Sequence, residues 1–199
     1  DLNLDGQKAA GDVTKAWTQL LGSGETDTAR ALTTGNDGSV YIAGYTGGDL
    51  DGQDNSGLMD AFLTKYDPDG NKDWTQLLGT SKRERAHALT TGSDGSIYIA
   101  GWTSGDLDGK TNSGKDDAFL AKYDPDGTKN WTQLLGSSSN EYANALTTGS
   151  DGSIYIAGWS DGVLDGKANS GINDAFLTKY DPDGTKKWTQ LLGSSSDEY

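Results

Sequence analysis

The stretch Ala88-Leu-Thr-Thr-Gly-Ser-Asp-Gly-Ser-Ile-Tyr-Ile-Ala-Gly-Trp102 decides the fold of this chain. The same residues recur unchanged from Ala145 to Trp159, and they recur from Ala31 to Tyr45 with three differences. Successive copies begin 57 residues apart. Self-similarity at a fixed interval is typical of repeat architectures. The 199-residue chain is therefore built from copies of one unit.

The repeated stretch is typical of a β-hairpin. Ala-Leu-Thr-Thr-Gly predicts a short strand, and Asp94-Gly95 is a dipeptide that tolerates the positive φ of a tight turn. The residues from Ser96 to Trp102 are rich in β-branched and aromatic side chains, which favour a returning strand.

Two further strands complete the unit. A long polar connection, Thr103 to Lys115 in the second copy, leads to the apolar run 117–123, which has close copies at 60–66 and 174–180. An Asp-Pro-Asp-Gly turn follows and contains every proline of the chain. Lys-x-Trp-Thr-Gln-Leu-Leu is the fourth predicted strand. No segment has an apolar period of 3.6 residues, so we expect no helices.

Four short antiparallel strands, repeated in tandem, predict an all-β fold of the β-propeller type. Apolar side chains fall on both faces of the second strand, with Ile97 and Ile99 on one face and Tyr98 and Trp102 on the other. A sheet with two apolar faces needs a neighbour on each side. We therefore expect the units to pack face to face as propeller blades.

The repeat divides the chain into three blades and two incomplete ends. The predicted parts are an N-terminal stub that is a shortened repeat (1–16), a leading fourth strand from Ala16 to Leu21 with blade one (17–79), blade two (80–136), blade three (137–193) and the start of a further repeat (194–199). Propellers close with four to eight blades, so this chain alone is not expected to close a ring. Either it is a piece of a longer polypeptide, which we favour, or several copies assemble.

Charge and composition narrow the range of partners. The net charge of −14 disfavours nucleic acid and anionic membrane surfaces, because both need a cationic protein surface. No apolar run reaches membrane-spanning length, and no signal peptide is visible. The chain has no cysteine, so the redox compartment cannot be inferred.

The run of motifs resembles a known family. Asp-Gly-Ser-Ile-Tyr-Ile-Ala-Gly-Trp-Thr, Gly-Asp-Leu-Asp-Gly, Asn-Ser-Gly, Asp-Ala-Phe-Leu-x-Lys-Tyr-Asp-Pro-Asp-Gly and Trp-Thr-Gln-Leu-Leu-Gly together look like the bacterial seven-bladed β-propeller repeat family, and the resemblance covers residues 15–199. Members occur largely in predicted secreted and surface proteins, notably of cyanobacteria, and mostly lack an assigned activity. The resemblance implies the fold and an extracellular or cell-surface location.

The long polar connection is a candidate calcium site. Carboxylate and amide oxygens in a glycine-rich loop suit Ca²⁺, which takes six to eight oxygen ligands. The candidate ligands are Asp49, Asp51, Asn55 and Asp60 in blade one, Asp106, Asp108, Asn112 and Asp117 in blade two, and Asp165, Asn169 and Asp174 in blade three. Val163 replaces the first aspartate of blade three, which weakens a shared site there unless Asp161 substitutes. The alternative is that these residues are turn formers that cap their own backbone.

Three aromatic residues are candidates for stacking on a sugar ring. Tyr45, Trp102 and Trp159 end the second strand of each blade, beside the long connection. Exposed aromatic rings with Asp and Asn nearby would form repeated sugar-binding sites. The alternative, which we favour, is that the three rings fill the gaps between adjacent blades.

One segment of each repeat varies while the rest is nearly identical. The variable segments are Ser23–Arg30, Thr80–His87 and Ser137–Asn144. Lys82, Arg83 and Arg85 are basic residues in an otherwise acidic protein and could meet an acidic neighbour, including another copy of the chain. His87 replaces Arg30 and Asn144 of the other copies, which predicts a solvated loop residue. The segments are either relaxed loops or a surface adapted to a partner.

Catalysis is not expected. His87 is the single histidine, so the chain cannot form a multi-histidine metal site, and it has no thiol nucleophile. Identical repeats spread like groups around a ring, whereas an active site needs unlike groups at one point. The paired acids of the Asp-Pro-Asp-Gly turns are turn formers.

These observations predict a non-catalytic structural or binding module that acts through multivalency and is stabilised by calcium. The expected partners are other copies of the chain or the remainder of a longer repeat chain, together with surface glycans or proteins, and neither nucleic acid nor membrane insertion. The alternatives are a carbohydrate-binding propeller and a scaffold domain of a larger enzyme.

Overall fold

A computed structural model of the chain describes residues 16–194. They form twelve β-strands in three four-stranded sheets. Blade one contains β1 (Asp27–Thr34), β2 (Val40–Thr46), β3 (Asp60–Tyr66) and β4 (Lys72–Leu78). Blade two contains β5 (Glu84–Thr91), β6 (Ile97–Thr103), β7 (Asp117–Tyr123) and β8 (Lys129–Leu135). Blade three contains β9 (Glu141–Thr148), β10 (Ile154–Ser160), β11 (Asp174–Tyr180) and β12 (Lys186–Leu192).

Within each blade the strands follow chain order, and every neighbouring pair is antiparallel. The predicted hairpin turns are confirmed. Gly95 has φ +82°, and the Asp94 carboxylate accepts the Ser96 amide at 3.0 Å. Gly127 closes an Asp-Pro-Asp-Gly turn at φ +89°, where its amide donates to the Asp124 carbonyl at 2.9 Å. Left-handed φ values favour glycine, which explains its place at the end of both turns.

The first strands β1, β5 and β9, which we call the inner strands, are neighbours across the blades. The Thr91 hydroxyl donates to the Thr34 carbonyl and the Thr148 hydroxyl donates to the Thr91 carbonyl, each at 3.2 Å. Each inner strand also contains a β-bulge. The residue that the register skips is Arg30 in β1, and the equivalent bulges in β5 and β9 fall at His87 and Asn144. A bulge leaves its extra residue outside the paired register, so these three residues form a set of their own.

The core lies between the blades, as the two apolar faces of the second strand predict. Ile97 and Ile99 pack into one cluster with Leu63 of blade one, whereas Tyr98 packs into another with Ile156 of blade three. We call the side of a blade that meets the previous blade its leading face and the opposite side its trailing face. Blade three does not close onto blade one, so the ring stays open, in agreement with the predicted fold.

A tryptophan of each fourth strand links its blade to the next one. The Trp74 indole N–H donates to the Pro125 carbonyl at 3.3 Å, and its ring lies against Gly127. The ring of Trp131 lies in the same way against Gly184 of blade three. The Asp-Pro-Asp-Gly turn is thus both a hairpin turn and the surface on which the previous blade rests.

Two sequence predictions near the blade boundaries differ from the structure. Ala16 to Leu21 do not form the predicted leading fourth strand. Trp17 nevertheless donates to the Pro68 carbonyl at 3.3 Å and so occupies the place that Trp74 occupies one blade later. The stub before Ala16 and the final residues 195–199 lie outside the described part.

The variable segments are not loops throughout, as the first of the two alternatives for them would have it. Their second halves form the first four residues of each inner strand. His87 is correspondingly a half-buried strand residue rather than a solvated loop residue, and its Nδ1 lies 3.2 Å from the Asn144 side-chain oxygen. Residues 16–194 contain no helix that could cross a membrane.

Candidate functional site

The long connection of each blade begins with a tight turn at Leu-Asp-Gly. In blade two, Leu107 and Lys110 exchange two backbone hydrogen bonds of 3.0 and 2.9 Å. Asp108 and Gly109 between them have φ +51° and +73°. Two consecutive positive φ values define a type I′ turn, in which Asp and Gly are the favoured residues. Leu107 is fully buried and anchors the turn to the blade.

The aspartate of this turn is held by the fourth strand of its own blade. The Asp108 carboxylate accepts hydrogen bonds from the Lys129 ammonium and the Thr132 hydroxyl, each at 2.5 Å. Asp51 pairs with Lys72 and Thr75 in the same way, and Asp165 pairs with Lys186. Burial opposes ionisation of Asp51, but the hydrogen bonds from Lys72 and Thr75 hold the pKa of that carboxyl below its ordinary value. A cation at this carboxylate would compete with the lysine.

The middle of the connection is held by side-chain bonds to its own backbone. The Asp106 carboxylate accepts the Asn112 amide at 2.9 Å. The Asn112 side chain donates to the Thr103 carbonyl at 3.0 Å and accepts the Gly114 amide at 2.9 Å. Blade one repeats these bonds with Asp49 and Asn55, and Asn169 keeps its own two bonds in blade three. Val163, in the place of the first aspartate, is exposed.

The last predicted ligand of each connection is a buried carboxylate at the start of the third strand. Asp117 accepts the Ser113 amide at 2.9 Å through one oxygen, and its other oxygen has no partner among the described residues. Asp60 repeats this arrangement, whereas Asp174 accepts two backbone amides. Burial raises the pKa of both Asp60 and Asp117.

A second buried carboxylate belongs to the same junction. Glu84 is fully buried and accepts the Thr80 amide, the Thr80 hydroxyl and the Thr103 hydroxyl at 2.7, 2.8 and 2.6 Å. Burial raises its pKa, and the nearby Asp60 carboxylate raises it further. Glu141 occupies the equivalent place between blades two and three and contributes to the raised pKa of Asp117.

The predicted calcium ligands are therefore close in sequence but separately engaged. Within residues 16–194 no three carboxylate or histidine side chains gather as a metal site requires. The observed hydrogen bonds are those of the alternative, in which Asp, Asn and Gly residues shape the turns. Calcium binding by this set stays a prediction.

The predicted stacking residues meet in a continuous ladder across the blades. The Arg85 guanidinium lies 4.5 Å from the centroid of the Tyr45 ring and 5.3 Å from that of the Trp102 ring. Tyr142 is placed in the same way between Trp102, at 5.1 Å, and Trp159, at 4.4 Å. Tyr45 and Trp102 are thus each followed by a wedge residue from the next inner strand, which is the cation of Arg85 in one junction and the phenol of Tyr142 in the other.

This ladder leaves little ring face free for a sugar. Tyr45 is 7% exposed and Trp102 is 8% exposed, and each ring has a residue of the next blade packed against it. The geometry therefore favours the packing alternative for Tyr45 and Trp102. Trp159 is half-buried, with Tyr142 stacked on it.

Neither the buried Glu84 and Glu141 nor the wedge role of Arg85 and Tyr142 was predicted from the sequence. One signal was available, since an acid stands at the first position of every inner strand and precedes a period-2 alternation of small and large residues. The second signal is that the wedge residues, Arg85 and Tyr142, lie in the variable segments. It is difficult to recognise because the aromatic residues around them are nearly identical in every repeat.

Comparison with known proteins supports the same fold. The model of a family described as "Domain of unknown function (DUF5122) beta-propeller" matches residues 92–130 and 149–186. The regulatory protein FlaEY of Caulobacter vibrioides is 32% identical over 92% of this chain and 21% of its own length. An uncharacterized WD repeat-containing protein of Acanthamoeba polyphaga mimivirus is 19% identical over 92% of this chain and 17% of its own length. The chain spans about a fifth of the length of these curated relatives.

Among solved structures, a protein of unknown function from Bacteroides caccae aligns over 83% of this chain and 46% of that chain, at 7% identity and a TM-score of 0.48. The three sheets and the cores between the blades have the β-propeller arrangement that the family model matched by the two segments describes. The chain is a β-propeller repeat protein.

Proposed function

We propose that this chain is a non-catalytic assembly module whose two end faces bind further blades of the same repeat. In this proposal its repeated loops are presented outward on a larger propeller, which is extracellular or at the cell surface. The further blades come from other copies or from the remainder of a longer repeat chain. The observation that carries the proposal is the exposure of the two end faces.

The trailing face of blade three is exposed, whereas the trailing faces of blades one and two are buried. Leu63 and Leu120 in the third strands of blades one and two are fully buried, because the next blade lies on them. Leu177 at the same position in blade three is 41% exposed. Burying a leucine side chain is worth about 1.5–3 kcal/mol. This face is therefore matched to a partner of blade type.

The leading face of blade one is the other half of such a junction. Leu89 of blade two is 8% exposed, whereas its counterpart Leu32 is 71% exposed. The residues from Trp17 to Leu21 lie over part of this face and leave an apolar pocket of about 300 Å³, lined by Val40, Ile42 and Phe62 among others. Because one end presents a leading face and the other a trailing face, copies would join head to tail.

Native mass measured by light scattering over a range of concentrations tests the proposal. We expect a mass above the 21.0 kDa of one chain that rises with concentration. Leu177→Asp should lower it towards one chain, because a buried unpaired charge is costly. Leu58→Lys is the matched control, since Leu58 is exposed outside the junction and blade two has Lys115 at the equivalent position. A single-chain mass at every concentration would contradict assembly from copies of this chain.

Calcium stabilisation is a separate part of the proposal, supported by the oxygen-rich connections. We expect millimolar calcium to raise the melting temperature and the double variant Asp106→Ala, Asp108→Ala to reduce that rise. Identical melting curves in chelator and in calcium would remove calcium from the account and leave the assembly proposal intact.

A further inference from the structure

Three cationic or potentially cationic side chains lie together at the inner strands of blades one and two. Arg30 and His87 are the bulge residues of β1 and β5, and Arg85 is the wedge residue of β5. Both guanidinium groups approach the same Tyr45 ring, at 5.5 Å for Arg30 and 4.5 Å for Arg85. The charges of Arg30 and Arg85 also act on His87, where burial first and then these two arginines lower the pKa of the imidazole.

No carboxylate balances these charges in the described residues. Every ion pair within residues 16–194 uses a lysine, and neither Arg30 nor Arg85 takes part in one. Arg30 donates to the Tyr45 hydroxyl at 3.2 Å, and Arg85 donates to the Met59 sulfur at 3.1 Å. The Arg85 Nε is buried and has no hydrogen-bond partner in that part of the chain. In a chain with 30 acidic and 16 basic residues, such a set is unusual.

The frame of the site does not require these residues. Blade three fills the wedge position with Tyr142 and the bulge position with Asn144, and it has the same strands and the same ladder. Asp116, on the side toward blade three, is already engaged by the Ser104 and Tyr142 hydroxyls. The positive charge is therefore an addition at one junction and not a condition for packing the blades.

We propose that Arg30, Arg85 and His87 form a binding site for an oxyanion, which is either the carboxylate of an organic ligand or a tetrahedral anion. Arginine is suited to this role, because its planar donors match carboxylate and phosphate geometry and its charge is weakly hydrated. Arg30 is exposed and is the side from which an anion would enter.

The single histidine gives a direct readout by proton NMR. A bound anion favours the imidazolium form, so the pKa of His87 should rise by about half a unit or more and saturate with ligand. The probes are sodium sulfate for a tetrahedral anion and sodium acetate for a carboxylate, each against sodium chloride at the same ionic strength. A rise with one probe alone identifies the class of anion. Equal behaviour in all three salts would overturn the proposal.

Blade three supplies substitutions that its own fold accepts. Arg85→Tyr reproduces Tyr142 and Arg30→Asn reproduces Asn144, and each should abolish the saturable rise. Arg83→Asn reproduces Asn140 at an exposed position outside the cluster and should leave the rise unchanged. If Arg85→Tyr does not fold, Arg30→Asn decides the test, since Arg30 is exposed. A control variant that weakens binding as much as the site variants would reduce the effect to general charge and overturn the proposal.

Discussion

Asp60 is a buried residue whose surroundings disfavour the charged form of its carboxyl. Its carboxylate is fully buried at a blade junction, accepts one backbone amide, and has one oxygen without a partner among the described residues. Burial of a carboxylate without a cation disfavours its charged form. The nearby Glu84 carboxylate meets the same penalty, so the junction carries two acids that resist ionisation.

The raised pKa of Asp60 fixes the sign of a pH effect. Between the ordinary carboxyl pKa and the raised one, the folded state binds more protons than the unfolded state, so the free energy of unfolding falls as pH rises. Asp117 and Glu84 act in the same direction. Exposed acids such as Asp37, whose pKa is lowered mainly by hydrogen bonds from Ser39, act oppositely and only at lower pH.

We therefore expect the free energy of unfolding to fall more between pH 5 and pH 7 in the wild type than in Asp60→Asn. His87, whose lowered pKa acts in the opposite sense in this window, contributes equally to both proteins. A tenfold change in the proton affinity of one carboxyl on folding corresponds to about 1.4 kcal/mol in the free energy of unfolding. Urea unfolding at the two pH values measures the effect. Asp49→Asn, at an exposed position in the same connection, is the control and should keep the wild-type dependence. The same dependence in Asp60→Asn as in the wild type would mean that this carboxyl does not titrate in the window.

At the scale of the element, the glycine of the Asp-Pro-Asp-Gly turn has two roles, since it adopts a left-handed φ and packs against the previous blade. Gly127 has φ +89°, and a Cβ there would lie 3.0 Å from the Trp74 ring of the previous blade. Gly109 in the Leu-Asp-Gly turn has φ +73°, but a Cβ there would meet no atom within 4 Å. The two glycines share the backbone requirement and differ in the contact.

Alanine at these two positions separates the two effects. Gly109→Ala should cost about 1–2 kcal/mol, which is the penalty of an L-residue in the left-handed region. Gly127→Ala should cost more, because it adds a clash with Trp74 to the same penalty. Chemical denaturation of both variants measures the difference. Equal losses of stability would show that the contact between Trp74 and Gly127 does not stabilise the junction of blades one and two.

Most elements could be predicted from the sequence because short-range chemistry defines them. Asp94-Gly95 and Pro125 fix turns, and the alternating apolar residues of 97–103 fix a strand with two buried faces. The first half of the inner strand could not be predicted, because Glu84 and Arg85 are polar residues whose partners lie in other segments and in the previous blade. The predicted calcium ligands failed to gather for a similar reason, since Lys129 is distant in sequence from the Asp108 that it pairs with.

At the scale of the whole molecule, the proposed assembly depends on two unlike ends. The same leucine position is covered in two blades and open in the third, and the opposite face is open at the first blade. A symmetric dimer would pair like faces, whereas a head-to-tail assembly pairs a leading face with a trailing face. Both assemblies bury similar residues. They are distinguished by whether a trailing-face residue contacts a leading-face residue or its own counterpart in the other copy.

The absence of cysteine from the chain makes crosslinking a clean test of head-to-tail assembly. One variant carries Leu177→Cys on the trailing face, and a second carries Ile42→Cys on the leading face. A short thiol-reactive crosslinker is added to each variant alone and to their mixture. Head-to-tail assembly predicts crosslinked dimers in the mixture and few in either variant alone. Crosslinking of each variant to itself as efficient as in the mixture, or no crosslinking in the mixture, would contradict it.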